Sequence, residues 1–228
     1  MSFSGIKTKT VALVVAALFA GTAFGYWGYS EYKQQQLRNA VTELVTNTSL
    51  QVRDALGSDR RTVIQNPGSL LKPYDDALAV DANYQRLHGM DALPVGELGD
   101  AADDYLLTTR EIMLRWASSH RYRARLSASI QALQTHMRAD DRTGAWVGAA
   151  IRAKERVEED YRDYRFATNA LRSLLESFPA SRSKMALYVD PTLLADDALI
   201  EEARKHVLDA SKQAVEEIQS ARQLSAYR

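Results

Sequence analysis

The chain has 228 residues, is 46% hydrophobic and 25% charged, and carries no net charge, which together fit a folded domain plus an appendage. It has no cysteine, so disulfides, thiolate catalysis and cysteine-ligated zinc are excluded. No acidic residue precedes Glu31, and removing Lys7 and Lys9 leaves 27 basic against 29 acidic residues over 31–228, a body too neutral for general nucleic-acid binding.

Residues 1–9 read as a short cytoplasmic terminus and residues 10–30 as a membrane segment. No charged side chain occurs from Thr10 to Ser30, a run of about 31 Å if helical. That matches a bilayer hydrocarbon core of about 30 Å. Lys7 and Lys9 would face the cytoplasm, and Tyr26, Trp27, Tyr29 and Tyr32 would sit at the far headgroup level. A cleaved signal competes with this reading. The strongly apolar part, Val11 to Ala20, is short, and Ala23 and Gly25 stand as small residues at a cleavage site do. The retained anchor is the expectation, because the helical pattern resumes at Glu31 without a linker. Either way the body is exported, to the periplasm in a bacterial cell. Ala17, Gly21 and Gly25 share one helix face and would let two membrane helices approach, a route to self-association.

From Glu31 to Gly57, apolar residues recur at Leu37, Val41, Leu44, Val52, Ala55 and Leu56, so a helix is expected. Ser58 to Ile64 reads as a short turn and "NPGS" at 66–69 as a loop. Pro73 suits the first turn of a helix ending at His88, with Gly89 as its cap. A long helix is expected over 98–138, with Asp100, Asp103 and Asp104 at the positive end of its dipole. "ADDRTG", 139–144, makes a turn into a helix over 145–178. Its seam is Val147, Ala150, Lys154, Val157, Tyr161, Tyr164, Thr168, Leu171, Leu175 and Phe178, spaced as in a coiled coil. Pro179 is expected to end that helix. Asp190-Pro191 is expected to start the last, which runs to about Leu224 on a face of Ala203, Val207, Ala210, Ala214, Ile218 and Ala221. The fold class is therefore all-α: a single transmembrane helix followed by an elongated, coiled-coil-like up-and-down bundle over 31–228.

"RWASSHRYRAR", 115–125, is the one polar stretch that invites a ligand. Arg115, Trp116, His120, Arg121 and Arg125 are candidates for a small anionic ligand. In an antiparallel hairpin turning near 141, however, Arg121 and Arg125 face "EEDYRD", 158–163, and an interhelical ion-pair zone is the plainer expectation. Met185 and Tyr188, in the linker 179–190, either pack on the core or contact a partner. The four histidines, His88, His120, His136 and His206, lack the spacing of a metal site, and no cofactor is expected. "SRSK", 181–184, lacks the accompanying motifs of penicillin-binding enzymes. The expected function is non-enzymatic: a membrane-anchored periplasmic adaptor or accessory subunit that binds protein partners in the cell envelope. The alternative is a ligand-sensing bundle with its site near Arg121 and Arg125. That general shape resembles the sensor domains of bacterial chemoreceptors, although the sequence has no second apolar run of membrane length and only nine residues before Thr10.

Overall fold

The computed structural model describes residues 4–57, 71–90, 96–138 and 143–226, with side chains described for Tyr29 and from Glu31 to Gln223. The described chain is all-α, without strands, and packs as a helical bundle. Its helices are α1 (Ser4–Gly57), α2 (Leu71–His88), α3 (Glu97–Arg138), α4 (Gly144–Met185) and α5 (Asp197–Ala226), with a short 3-10 turn at Pro191–Leu193 before α5.

Helix α1 is one 54-residue helix, about 81 Å long. It includes the charge-free run 10–30, whose side chains, other than that of Tyr29, lie outside the described residues. Among the described residues no helix is long and apolar enough to cross a membrane. The packing proposed for Ala17, Gly21 and Gly25, the turn at 58–64, the loop at 66–69 and residues 139–142 also lie outside the described residues. The described side chains from Tyr29 to Gln36 are exposed, and α1 enters the core only at Val41.

Helices α3, α4 and α5 run alternately up and down. Salt bridges mark the register: Arg125–Asp160 and Lys184–Asp104 between α3 and α4, and Arg222–Glu158 and Arg204–Glu176 between α4 and α5. Helix α2 lies antiparallel to α3, with Arg110 on Asp81 and His88 on Asp103. Local chemistry explains the starts. Gly96, at φ +107°, takes the left-handed backbone that leads into α3, where Glu97 and Asp100 sit at the positive end of the dipole. Thr143 caps α4 by accepting from the Trp146 N–H.

Two hydrophobic clusters divide the bundle. The larger joins α1, α2, the first half of α3, the last turns of α4, the 186–196 segment and the start of α5, around Tyr105, Leu106, Met113, Phe178 and Leu194. The smaller joins only α3, α4 and α5, around Leu126, Leu133, Val157, Tyr164 and Ile218.

Three sequence expectations need correction. Pro179 does not end α4, which continues to Met185. The proline lies on the exposed face, while Phe178, Ser181 and Met185 are buried on the other, so burial holds the helix together across the missing hydrogen bond. The α4 seam holds from Val157 onward but only in part before it: Ala150 packs on the smaller cluster, whereas Val147 is 48% exposed and Lys154 is exposed, and Ala153 packs there in place of Lys154. Asp190-Pro191 starts only the 3-10 turn. Asp190 caps it through Thr192, Leu194 turns extended, and α5 begins at Asp197 because Leu194 and Ala195 are drawn into the core.

Candidate functional site

The 115–125 stretch winds through just over three turns of α3, so its side chains point in different directions. Trp116, Ser119 and Arg123, spaced by three and four, face inward. Arg115 is half-buried and Arg121 is exposed, with no ion pair to a described residue. Arg125 contacts α4 instead: its guanidinium lies 2.5 Å from Asp160 and 3.7 Å from Asp163. Asp160 is 1% exposed, accepts a close hydrogen bond from Ser129, and lies 3.6 Å from Arg156. This is a buried carboxylate held by two cations and a hydroxyl, and its geometry is that of a register lock between α3 and α4. Arg125 is thus engaged by α4, and Arg121 does not join it in that contact.

The converging group is one that the sequence reading did not single out. Arg123 has a side chain only 6% exposed. Its Nη2 donates to Glu217 on α5 at 2.6 Å, while Nε and Nη1 are buried with no hydrogen-bond partner among the described residues. Arg123 lines a cavity of about 30 Å³ between α3, α4 and α5 with Trp116, Ser119, His120, Tyr164 and His206. The Trp116 ring is flanked by His120, edge-on at 4.9 Å, and His206 at 6.0 Å. Tyr164 and Thr168 separate this cavity from a second, larger cleft of about 200 Å³ between α4 and α5, which Arg165 and Lys212 also line. Burial pushes the Tyr164 hydroxyl above its ordinary pKa, against the opposing effects of its bond to Ser211 and the nearby Arg123. A signal was present in the sequence: on the α3 face that carries Leu126, Ile130 and Leu133, Arg123 occupies the next inward position, where an apolar residue would be expected.

At the other end, Met185 is fully buried in the larger cluster, the core-packing alternative for that residue. Tyr188 is 39% exposed and donates to Glu97 at 2.8 Å; that bond to a carboxylate raises its pKa. Two arginines latch the 186–196 segment. Arg53 from α1 donates to the carbonyls of Thr192, at 2.6 Å, and Leu194. Arg182 from α4 donates to the carbonyl of Ala195 at 2.8 Å and pairs with Asp197. Tyr105 lies beneath them, 2.8 Å from Ser49 Oγ and accepting from the Ala195 N–H at 3.1 Å.

The remaining motifs have structural partners. Ser181 and Lys184 of "SRSK" both bond Asp104, each at 3.0 Å, and so serve the α3–α4 contact. His136 and Trp146 stack at 5.1 Å and exchange hydrogen bonds with each other's backbone carbonyls near the hairpin turn. Among the described residues no group of three or more potential ligands could hold a metal ion. Comparison with protein-family models, with curated proteins and with solved structures gives no match.

Proposed function

We propose that the protein is a membrane-anchored helical adaptor of the cell envelope, which acts by presenting its bundle to protein partners rather than by catalysis. In a bacterial cell the bundle would lie in the periplasm. The observation that carries this reading is the continuity of α1. The same helix that contains the charge-free residues 10–30 ends inside the larger core. There Val41, Leu44, Val45, Val52 and Leu56 are buried, and Arg53 and Ser49 tie it to the rest of the bundle. A helix so built transmits position from its amino-terminal end to the bundle without a slack linker. Arg121 and Arg125 give no support to a ligand-sensing role at their own positions, because Arg125 is engaged by Asp160 and Asp163.

The test begins with the native full-length chain. It should stay in the membrane fraction after an alkaline carbonate wash, dissolve in mild detergent, and retain its original amino terminus. Recovery in the soluble fraction, or a chain beginning at Tyr26, sinks the anchor. In mild detergent the adaptor should migrate as a stoichiometric assembly larger than its monomer; a monomer at native abundance argues against the adaptor role.

A further inference from the structure

The structure assigns a second property to the bundle: we infer that the cleft between α4 and α5 binds a small amphipathic carboxylate, one anionic head on an apolar body. The inference is independent of the membrane anchor.

The cleft follows from how α4 and α5 are tied. Their ion pairs Arg204–Glu176, at 3.7 Å, and Arg222–Glu158, at 3.4 Å, lie about 27 Å apart along each helix. Between these ties the two helices leave a space of about 200 Å³. Each wall is one face of its helix, with residues spaced by three and four. Tyr161, Tyr164, Arg165 and Thr168 come from α4, and Leu208, Ser211, Lys212 and Val215 from α5. The ion pairs beyond both ends favour a compact ligand over a partner helix, which would have to cross them.

Depth sorts the lining and selects the chemistry. Tyr164 and Thr168 are buried, Tyr161, Ser211 and Val215 are half-buried, and Arg165, Asn169, Leu208 and Lys212 are exposed at the outer edge. The inner hydroxyls are already engaged: Thr168 donates to the Tyr164 carbonyl at 2.9 Å, and Ser211 donates to the Val207 carbonyl at 2.8 Å. The charged donors stand at the edge. Arg165 makes no ion pair to a described residue, and Lys212 has Asp209 at 3.6 Å with both side chains more than half exposed. Among the described residues no carboxylate lines the cleft. Arg165, Lys212 and Asp209 together carry one positive charge, the complement of a monoanion. A carboxylate accepts two parallel N–H bonds from a guanidinium, a match that a neutral head does not offer. Between the two cations and the buried floor, Tyr161, Leu208 and Val215 form an apolar wall, and Leu208 is 41% exposed until something covers it. A cleft with an apolar lining and a few convergent polar groups is the usual form of a small-molecule site. A solvated gap is the competing reading, and it binds neither charge nor apolar surface selectively.

The experiment uses the full-length protein in a non-ionic detergent and isothermal titration calorimetry, with titration into detergent alone as the blank. Sodium phenylacetate and sodium octanoate are the probes. Acetate lacks the apolar body, and the two corresponding amides lack the charge. The expected result is saturable, single-site binding of at least one probe, with acetate and the matching amide weaker by about tenfold or more. Arg165→Gln/Lys212→Gln should weaken the probe by about tenfold or more. Arg121→Gln, on the exposed face of α3, should leave its affinity unchanged. Lys212 is 64% exposed, so the weakening by Lys212→Gln alone decides the matter if the double variant does not fold. The inference is overturned if neither probe binds saturably, if an amide binds as tightly as its acid, or if affinity survives the loss of the two cations.

Discussion

Tyr105 connects three segments through one hydroxyl. It reaches Ser49 on α1 and the Ala195 N–H beside α5, and its ring lies 5.6 Å from that of Phe178 on α4. Tyr105→Phe keeps the ring but leaves the buried Ala195 N–H unmatched, so urea unfolding should show a loss of about 1–3 kcal/mol. Burial also raises the Tyr105 pKa above its ordinary 10.0, and that of Tyr164 likewise. The unfolded chain then loses these protons at lower pH than the folded one. Stability is therefore fully present below about pH 10 and is lost as pH rises through the raised folded values. Urea midpoints measured from pH 8 to 11.5 should fall at the alkaline end, less steeply in Tyr164→Phe. Asp160 carries a different liability. Arg125→Met leaves a carboxylate that is 1% exposed with only Ser129 and Arg156 beside it, and should cost about 2–4 kcal/mol. The double variant Arg125→Met/Asp160→Leu should recover most of that loss; no recovery would show that the two do not act as a pair.

At the scale of the element, α4 shows why a sequence rule can fail. Pro179 was expected to stop the helix because it lacks an N–H and crowds the preceding turn. Phe178 and Met185 are each fully buried, seven residues apart, and require two more helical turns to reach the core. The helix therefore retains a residue whose intrinsic cost is about 3 kcal/mol relative to alanine. Pro179→Ala should raise stability by about 1–2 kcal/mol, after the more flexible unfolded chain takes back part of the gain. An unchanged or lower unfolding midpoint would show that the proline's own backbone geometry serves the packing. The apolar pattern of α1 was legible for the opposite reason: of the stripe Leu37, Val41, Leu44, Val52, Ala55 and Leu56, all but the half-buried Leu37 are buried, because no local residue competes with the periodicity. Arg123 was legible only in part: its spacing from Leu126, Ile130 and Leu133 puts it on the inward face of α3, but not under another helix. A sequence shows four arginines between 115 and 125 and cannot weigh which one the crossing of α5 will cover.

Across the whole molecule, the two clusters imply unequal stability. The larger is closed by five helices and the latched 186–196 segment, the smaller by three helices only. Native-state hydrogen exchange should therefore release the amides of 126–137 on α3 before those of 105–117 on the same helix. Uniform protection along α3 would mean that the bundle opens as one unit. The sequence by itself determined the all-α class and most helix limits, because both follow from periodicity and from local boundary signals such as Pro73 and Gly89. It also narrowed the partners of Arg125 to the acidic run on α4, since a tight hairpin fixes which residues face each other. Only the tertiary structure decided that Pro179 stays helical, that Asp190 starts a 3-10 turn and not α5, and that Arg123 is the buried cation. Each of those outcomes depends on what covers a residue from a distant part of the chain, and burial by a remote helix outweighs any preference encoded in its neighbours.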